Sequence, residues 1–548
     1  MMENTNLSKI KRDKMIEVLH KIKDKTKDDD IVLQLNLIEN ELNEKKYGLI
    51  WEEHLERVDV ELEKSIPVFK DVREKEIKTI EENDYNFLLE GDNLHSLYLL
   101  EKTHKNKIDV IYIDPPYNTR NKDFMYNDEY IDPENEYKHS KWLSFMQRRL
   151  SIAKHLLKHD GYIFISINYK EQAQLKLLCD DIFGESNLVG EITWESTTQP
   201  INSGSSKFGL QQKCEWILVY CMNSNKKSVF KIKELAANKK YPHKDEYGVC
   251  RYEVIEKSDA GAYKRDTMKF EILGQKPRPG KRWQIGKETA TFLEENHRLK
   301  IVNGTVKKVV YPEDEEQKVS YVPFWSHFDA KTVGTAQNGK EELNKVLNRA
   351  AGFDTVKPVA LIKEILCHFN KSITVLDFFA GSGTTAQAVL EMNKVDNGNR
   401  KFILCTNNEN DICRKITYER IKTIITGVRS DGSKYSDGIQ SNLKYYCTDY
   451  VLKEDVENLY ENLMKNIKNL IQLEHGISID NKRVNVFFKE KDFDDFCEDS
   501  EKLELCDYAY VSSDILLTNS EKRAINDYNI RLYIIPDKYF NSEIKEVM

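Results

Sequence analysis

At 548 residues the chain is too long for one hydrophobic core, and two to four domains are expected. Hydrophobic residues make up 40% of it, and no apolar run approaches the roughly 18 residues of a membrane helix, which excludes a helical membrane protein. The net charge of −8 argues against a nucleic-acid-binding protein only if the charge is evenly spread.

The charge is in fact unevenly distributed. Residues 226–320 carry 22 Lys/Arg and 15 Asp/Glu, so this segment is about +7 and the remainder about −15. A basic segment in an acidic chain predicts a localised DNA-binding surface, with a solvated charged surface as the alternative. The ten cysteines are scattered without a C-x-x-C pair. This spacing favours reduced thiols in a cytoplasmic protein and no metal site.

Residues 1–80 are rich in Lys, Glu and Leu and contain few glycines. Ile31, Leu35, Ile38 and Leu42 recur at helical spacing, which predicts an amphipathic helix. We interpret this region as a helical N-terminal arm for subunit contact, with a simple cap on the next domain as the alternative.

A second feature is the run Val110–Ile113, four apolar residues that predict a buried strand of the parallel type. Pro115 and Pro116 must end this strand because they donate no ladder hydrogen bonds. Asp114, Pro115 and Tyr117 are then presented at the carboxyl end of a strand, where open α/β sheets bind ligands. A carboxylate and a carbonyl beside a flat ring suit an exocyclic amine on a planar heterocycle. A strand-ending turn capped by Asp114 is the alternative.

The next elements predict an α/β fold. Residues 141–159 have apolar side chains at helical spacing, Asp160-Gly161 predicts a turn, and residues 162–167 predict a buried strand. Strand–helix–strand alternation of this kind is typical of right-handed crossovers and a parallel sheet. Residues 213–220 predict a further strand.

Between residues 225 and 330 the apolar periodicity weakens, and basic residues are interleaved with aromatic ones. The densest basic loop of this segment is Lys276–Trp283. Arg and Lys on such loops can contact phosphates or the guanine edge. The alternative for each of these residues is a solvated surface cation.

Residues 373–378 predict another strand, and a glycine-rich loop with Gly381 and Gly383 follows it. Glycines there allow a tight turn and close approach of a ligand. The loop also fits the dinucleotide fingerprint G-x-G-x-x-A, which expects an acid about 20 residues on. The following strand, residues 401–405, is followed by Asn408 and Glu409, so the acid comes late. The loop alone therefore leaves a nicotinamide-dependent oxidoreductase open.

Two of these stretches together resemble an enzyme family. Asp114-Pro115-Pro116-Tyr117 resembles the DPPY motif of amino-group DNA methyltransferases, and Phe379-Ala380-Gly381-Ser382-Gly383 resembles their S-adenosylmethionine (SAM) motif. Their order in the chain is that of the permuted β class. The resemblance extends to the modification (Mod) subunit of type III restriction–modification systems through residues 47–52, Glu90-Gly91-Asp92-Asn93, Lys357-Pro358 and residues 443–446.

The resemblance implies the fold class α/β, a Rossmann-like sheet of SAM-dependent methyltransferases with an inserted target-recognition domain and a helical N-terminal arm. It implies five regions: the arm at 1–80, the DPPY half at 81–224, the target-recognition domain at 225–350, the SAM-binding half at 351–430, and a C-terminal α/β domain at 431–548 for dimer or partner contacts. It implies S-adenosyl-L-methionine as cofactor, with binding residues Asp92, Asn93, Lys357, Pro358, Asp377, Phe379, Ala380, Gly381, Gly383, Thr384, Thr385 and Asn408.

The implied reaction is methylation of adenine N6 in double-stranded DNA, with no metal required. Asp114, Pro115, Pro116 and Tyr117 would be the catalytic residues, and Tyr117 would stack on the flipped base. The implied DNA contacts are Arg120, Lys276, Arg278, Lys281 and Arg282. A homodimer and a separate restriction subunit are the implied protein partners.

Some alternatives remain within and outside this class. Cytosine N4 methylation would use the same acceptors, and an RNA target is a further possibility. The chain could also act chiefly as the DNA-reading subunit of a restriction complex, with methylation secondary. The sequence departs from the family at Lys213-Cys214-Glu215, where many relatives carry a His-Glu pair, and we assign no site role there.

Overall fold

The computed structural model describes residues 7–26, 28–43, 56–118, 125–126, 129–130, 138–200, 202–223, 230–234, 240–260, 265–316, 320–353, 355–479 and 481–547. The chain divides into two compact units, one formed by Met1–Lys227 with Ser326–Met548 and the other by Ser228–Trp325. The motif at 47–52 and Arg120 lie outside the described residues.

The first unit begins with three helices, α1 (Leu7–Lys23), α2 (Asp29–Asn43) and α3 (Arg57–Lys64). Helices α1 and α2 contact each other, and both Lys23 and His20 of α1 bind Glu39 of α2. The predicted helix at 31–42 is confirmed, although of its apolar stripe Leu35 is buried while Ile31 and Ile38 are exposed.

The described strands and helices between residues 65 and 221 are β1 (Ser65–Asp71), β2 (Tyr85–Glu90), α4 (Asn93–His104), β3 (Ile108–Ile113), β4 (Met125–Tyr126), β5 (Glu129–Tyr130), α5 (Lys138–Leu156), β6 (Leu157–Ile167), α6 (Gln172–Cys179), β7 (Leu188–Glu195) and β8 (Cys214–Cys221). Strand β3 is buried on both faces, as its uninterrupted apolar run predicts.

The second unit contains β9 (Lys231–Glu234), β10 (His243–Asp245), β11 (Gly248–Val254), β12 (Glu256–Ser258), β13 (Lys281–Trp283), α7 (Lys287–Glu295), β14 (Leu299–Val302), β15 (Thr305–Val310), α8 (Glu313–Glu316) and β16 (Ser320–Pro323). Its largest sheet has the order β10-β11-β15-β14 and is antiparallel. A small core around Trp283 and Ile272 holds it together, which explains why so polar a segment folds compactly.

The first unit resumes with β17 (His327–Phe328), α9 (Ala330–Val333), α10 (Ala336–Leu347), α11 (Val359–Leu366), β18 (Thr374–Asp377), α12 (Thr384–Asp396), β19 (Lys401–Thr406), α13 (Tyr418–Thr426), β20 (Asn442–Leu452), α14 (Leu459–His475), β21 (Val484–Phe487), α15 (Glu490–Cys497), α16 (Ser500–Leu505), β22 (Tyr508–Ser512), α17 (Asn519–Asp527), β23 (Arg531–Ile535) and α18 (Asp537–Val547). Strands β21, β22 and β23 form a separate parallel sheet.

A ten-stranded mixed sheet with the order β1-β20-β2-β19-β18-β3-β6-β8-β7-β17 organises the first unit. Its centre, from β20 to β6, is parallel, which confirms the predicted α/β fold. Strands β3 and β18 are direct neighbours, with Val110 opposite Val375 and Ile111 opposite Leu376. The two motif-bearing loops therefore leave the sheet side by side, at the carboxyl ends of adjacent parallel strands.

One local prediction is wrong. Asp160 and Gly161 do not form a turn but lie inside β6, which starts at Leu157. The register between β3 and β6 shifts there, and a Cβ on Gly161 would lie 3.1 Å from the carbonyl oxygen of Ile108. The glycine therefore serves close approach of two strands at an irregular register rather than a turn.

In the part of the chain that the structure describes, no helix is long and apolar enough to cross a membrane.

Candidate active site

Asp114 and Gly381 line one cavity of about 600 Å³ in the first unit. Asp114 directly follows β3, and Gly381 lies in the loop between β18 and α12. The other lining residues come from α3 and the residue before it, from the start of α4 and the residue before it, from α5, from the loops after β3 and β18, from the end of β19 and the segment after it, and from β20. They are Glu56, Arg57, Val58, Glu61, Asp92, Asn93, Pro116, Phe145, Phe378, Phe379, Thr406, Asn407, Glu409, Ile412 and Tyr450.

Asp114 is the centre of a charged cluster at one side of this cavity. The Lys357 ammonium donates to both of its carboxylate oxygens, at 2.9 and 3.0 Å. The Tyr117 hydroxyl donates to Asp114 Oδ1 at 2.7 Å and itself accepts from Lys357 at 2.7 Å. Lys357 also lies 4.9 Å from the centre of the Tyr117 ring. Burial, reinforced by the charge of Asp114, raises the pKa of Tyr117 well above its usual value, so the hydroxyl stays a donor.

The two prolines hold this loop in place in different ways. Pro115 is buried beneath the loop, and the carbonyl of Pro116 accepts a 2.7 Å hydrogen bond from the Trp142 indole. Trp142 is fully buried in α5. The loop that carries Asp114 and Tyr117 is thus anchored to the core of the first unit.

Lys357 reaches Asp114 because three features position its backbone. The next residue, Pro358, is the N-cap of α11, and Glu342 of α10 accepts from the amide of Val359 at 2.9 Å. Gly339 of α10 allows this segment to approach, since a Cβ there would lie only 2.1 Å from the Val356 carbonyl oxygen. The cofactor-binding role of Lys357 stays a prediction; the structure places its ammonium against Asp114 and Tyr117.

The glycine loop has the conformation that its sequence requires. Gly381 and Gly383 have φ values of 45° and 77°, in the left-handed region that glycine tolerates best. The Ala380 amide donates to the Cys405 carbonyl at 3.1 Å, and the Thr417 hydroxyl donates to the Gly381 carbonyl at 2.6 Å. These bonds fix the backbone that lines the cavity.

Asp377, Thr384 and Thr385 support the loop from behind. Asp377 accepts from the Thr385 hydroxyl at 2.6 Å and from the Phe379 amide at 3.0 Å. Burial nevertheless raises the pKa of Asp377 to about 7, because it outweighs these two bonds. Thr384 donates to the Lys357 carbonyl at 3.2 Å and so links the glycine loop to the Asp114 cluster.

Asp92 and Asn93 are held by a buried arginine that sequence reasoning missed. Arg149 donates to Asn93 Oδ1 at 2.6 Å, to Asp92 Oδ1 at 3.4 Å, and to both oxygens of Glu56 at 2.8 and 3.0 Å. Asn93 in turn donates to the Phe378 carbonyl at 2.9 Å. A signal did exist, since Arg149 falls four residues after Phe145 within the apolar stripe of the predicted helix.

Asn408 does not line the cavity, whereas its neighbours Asn407 and Glu409 do. The Asn408 side chain accepts from the Arg414 amide at 3.0 Å and so shapes the turn. Glu409 is therefore the acid that this turn presents to the cavity, although it follows the strand later than the common pattern expects.

The cavity fits SAM in its volume and in the chemistry of the residues that line it. Its volume lies within the usual range of roughly 300–1,000 Å³ for small-molecule sites. Five carboxylates line it, which suits a ligand with a sulfonium and an ammonium group: Glu56, Glu61, Asp92, Asp114 and Glu409. Aromatic side chains suit its adenine, and Phe145 and Phe379 lie 5.9 Å apart there.

A second buried carboxyl, Glu171, anchors the far end of the Asp114 loop. Its Oε1 accepts from Asn118 at 2.6 Å and lies 2.7 Å from His139 Nδ1. Burial raises the pKa of Glu171 to about 8, against the opposing effect of the Asn118 bond. The side chain therefore holds a proton near neutral pH and joins the residue after Tyr117 to the start of α5.

This shift predicts a pH dependence of stability. Between pH 4.5 and about 8 the folded chain retains a proton on Glu171 that the unfolded chain releases, so the free energy of unfolding falls as pH rises. The limiting slope for one such group is about 1.4 kcal/mol per pH unit. Glu171→Gln mimics the protonated acid, and urea unfolding measured from pH 5 to 8 should show a shallower decline than in the wild type.

Asp377 contributes in the same direction, so the decline should not vanish in the Glu171→Gln variant. Glu457→Gln, at an exposed position, is the matched control and should follow the wild type. Identical pH profiles for the wild type and Glu171→Gln would contradict the assignment.

The predicted DNA-contacting residues that the structure describes lie in the second unit, and three of the four form ion pairs there. Arg278 donates to the buried carboxylate of Glu256 at 2.7 Å, and Arg282 lies 3.5 Å from Asp259. Lys276 is 70% exposed beside Glu271, and Lys281 pairs with Ser258 through the β12–β13 ladder. Arg278 and Lys276 thus present charge to solvent, while Arg282 is mostly covered.

Comparison with known proteins places this site in a family. Residues 108–419, more than half of the chain, match the N6/N4 family described as DNA methylase. The chain is 34% identical over 420 residues to the StyLTI Mod subunit of a type III restriction-modification enzyme of Salmonella typhimurium, covering 66% of this chain and 59% of that protein. It is 30% identical to the EcoP15I Mod subunit of Escherichia coli, covering 59% of this chain and 58% of that one. The chain thus spans about three-fifths of the length of these Mod subunits.

Another relative aligns with this chain over most of its own length. The type II methyltransferase M.KpnI of Klebsiella pneumoniae is 31% identical, over 66% of this chain and 87% of its own length. Among solved structures, the cytosine-N4-specific PvuII DNA methyltransferase aligns with a TM-score of 0.33 and 11% identity, over 63% of this chain and 93% of that one. On the sequence matches, the chain belongs to the N6/N4 DNA methylase family, whose enzymes are SAM-dependent.

Proposed function

We propose that the chain transfers a methyl group from SAM to N6 of adenine in double-stranded DNA, as the modification subunit of a type III restriction–modification system. The observation that carries this proposal is the shared cavity, in which the Asp114 carboxylate and the glycine loop face the same space. The names of the Mod-subunit relatives support the type III role.

The chain's residues would bind and orient both reactants. The glycine loop, Asp92, Asn93 and Glu409 would hold the cofactor, which supplies an electrophilic methyl group on a sulfonium. Asp114 and the carbonyl of Pro115 would accept the two N–H groups of the target amine and free its lone pair from conjugation with the ring. Tyr117 would stack on the flipped base. Positioning of the amine in line with the methyl supplies most of the rate.

Recognition of the DNA sequence would fall to a region that contains the whole second unit, Ser228–Trp325. We propose that 225–350 acts as the target-recognition region, with the exposed Lys276 and Arg278 and the half-buried Lys281 among its contacts to phosphates or bases. Weaker binding with rising salt is expected for such contacts.

We also propose a homodimer and a separate restriction subunit as partners. The two-helix hairpin α1–α2 exposes large apolar side chains that a second copy would cover: Met15, Val18, Ile22, Leu33, Leu37 and Ile38. The mass of the purified chain in solution would report whether it dimerises.

Methylation-aware sequencing tests the reaction. The full chain would be incubated with SAM and unmethylated plasmid, and each base would be read for modification. We expect N6-methyladenine at one short recurring sequence and nowhere else. Modification of cytosine instead, or no modification of DNA with the protein folded and SAM bound, would contradict the proposal.

A further inference from the structure

Glu215 lies in the Asp114 cluster, although no site role was predicted for it from the sequence. It belongs to β8, three strands of the sheet away from β18. Its Oε2 lies 3.0 Å from the Tyr117 hydroxyl and 3.2 Å from the Lys357 ammonium. Glu215 therefore contacts both of the side chains, Tyr117 and Lys357, that donate hydrogen bonds to the Asp114 carboxylate.

The charges of this cluster can be counted. The Lys357 side chain is only 8% exposed, and its ammonium donates to both oxygens of Asp114. Burial works to lower the pKa of Lys357, but Asp114 and Glu215 together outweigh it and raise the pKa, so the lysine remains a cation. With Lys357 alone, Asp114 would sit in a neutral pair. With Glu215 included, the cluster carries one net negative charge.

That net charge matters for methyl transfer to an amine. The amine lone pair forms the new N–C bond, the electrons of the broken C–S bond pass to sulfur, and the nitrogen becomes positive until it loses one proton towards Asp114 and solvent. A preorganised negative charge stabilises positive charge that develops in a partly buried site. A neutral Asp114–Lys357 pair would provide much less of this stabilisation.

We propose that Glu215 is a positioning residue that restores the negative charge which Lys357 removes from Asp114, so that the cluster presents one net negative charge to the target amine. The proposal rests on the methyltransferase function proposed above. Glu215 also shares the Tyr117 hydroxyl with Asp114, since that hydroxyl has one proton for two carboxylates. It thereby leaves an oxygen of Asp114 available to the amine for part of the time.

A charge-paired set of variants tests the proposal. Glu215→Gln makes the cluster neutral, Lys357→Met gives it two negative charges, and the double variant returns it to one. For Glu215→Gln we expect kcat to fall about 10- to 100-fold, while the Kd for SAM measured by calorimetry and the KM for DNA stay within about twofold. The double variant should turn over faster than Glu215→Gln alone, because its net charge is restored.

The controls separate charge from structure. Glu191→Gln, on the neighbouring strand β7 and bonded to Gln172, removes a carboxylate outside the cluster and should leave kcat unchanged. Glu215→Asp keeps the charge and should retain more activity than Glu215→Gln. If the double variant proves unstable in thermal unfolding, the comparison of Glu215→Asp with Glu215→Gln decides whether the charge of Glu215 sets the rate.

The outcomes are distinct. Turnover of Glu215→Gln within twofold of the wild type, or a folded double variant no faster than Glu215→Gln, would overturn the role of Glu215 while leaving the methyltransferase function intact. A wild-type chain that binds SAM but methylates no DNA would instead overturn the function on which this proposal rests.

Discussion

Asp114→Ala should reduce the rate of methyl transfer about a hundred- to thousandfold, the loss typical of removing one preorganised polar group from a transition state. Asp114 is the acceptor that the amine would meet at the carboxyl end of β3. SAM should still bind, because the backbone of the glycine loop and the residues held by Arg149 do not depend on this carboxylate. The measurement is single-turnover methylation of plasmid DNA, with SAM affinity determined separately by calorimetry.

The matched control is Asp437→Asn, an aspartate whose side chain is 88% exposed and pairs with Lys434. It should methylate like the wild type. Asp114→Asn keeps the shape of the side chain, and its rate of methyl transfer should be reduced as in Asp114→Ala. Near-normal turnover of either Asp114 variant would contradict the catalytic assignment.

Gly383→Ala should weaken SAM binding about 10- to 100-fold, equivalent to about 1.4–2.8 kcal/mol. Gly383 has a φ of 77°, which costs alanine about 1–2 kcal/mol. Its new Cβ would also lie 3.2 Å from Thr417 Cγ2, and the hydroxyl of the same threonine holds the Gly381 carbonyl. The substitution therefore disturbs the loop that lines the cavity, and calorimetric titration with SAM measures the effect.

Gly432→Ala is the matched control, at a left-handed glycine that does not line the cavity. Gly432 has a φ of 82° but no atom within 4 Å of a Cβ, so it shares the conformational cost without the contact. We expect it to lower thermal stability and leave SAM affinity unchanged. Equal SAM affinity for Gly383→Ala and the wild type would contradict the assignment of this loop to the cofactor.

The sequence predicted those parts of the site that consist of short, contiguous motifs. The apolar run ending at Asp114-Pro115 and the strand ending at the Gly381 loop both indicate buried parallel strands, because proline and glycine stop them abruptly. The structure then shows β3 and β18 side by side.

The residues that were missed are held by contacts between distant parts of the chain. Glu215 reaches Lys357 only because β8 folds back antiparallel onto β6, and Glu56 reaches Arg149 from a segment far upstream. No local periodicity of the sequence indicates such a contact between residues far apart in the chain. The turn predicted at Gly161 failed for a related reason, since a glycine signals a tight approach as well as a turn, and only the neighbouring strand shows which.

The most direct measurement for the whole account is a structure of the chain with the non-reactive SAM analogue sinefungin and a DNA duplex containing the methylated sequence. We predict the analogue in the cavity beside Gly381, and a flipped adenine whose amino nitrogen lies within hydrogen-bond distance of Asp114. An analogue bound elsewhere, or a target base that does not meet Asp114, would contradict the account.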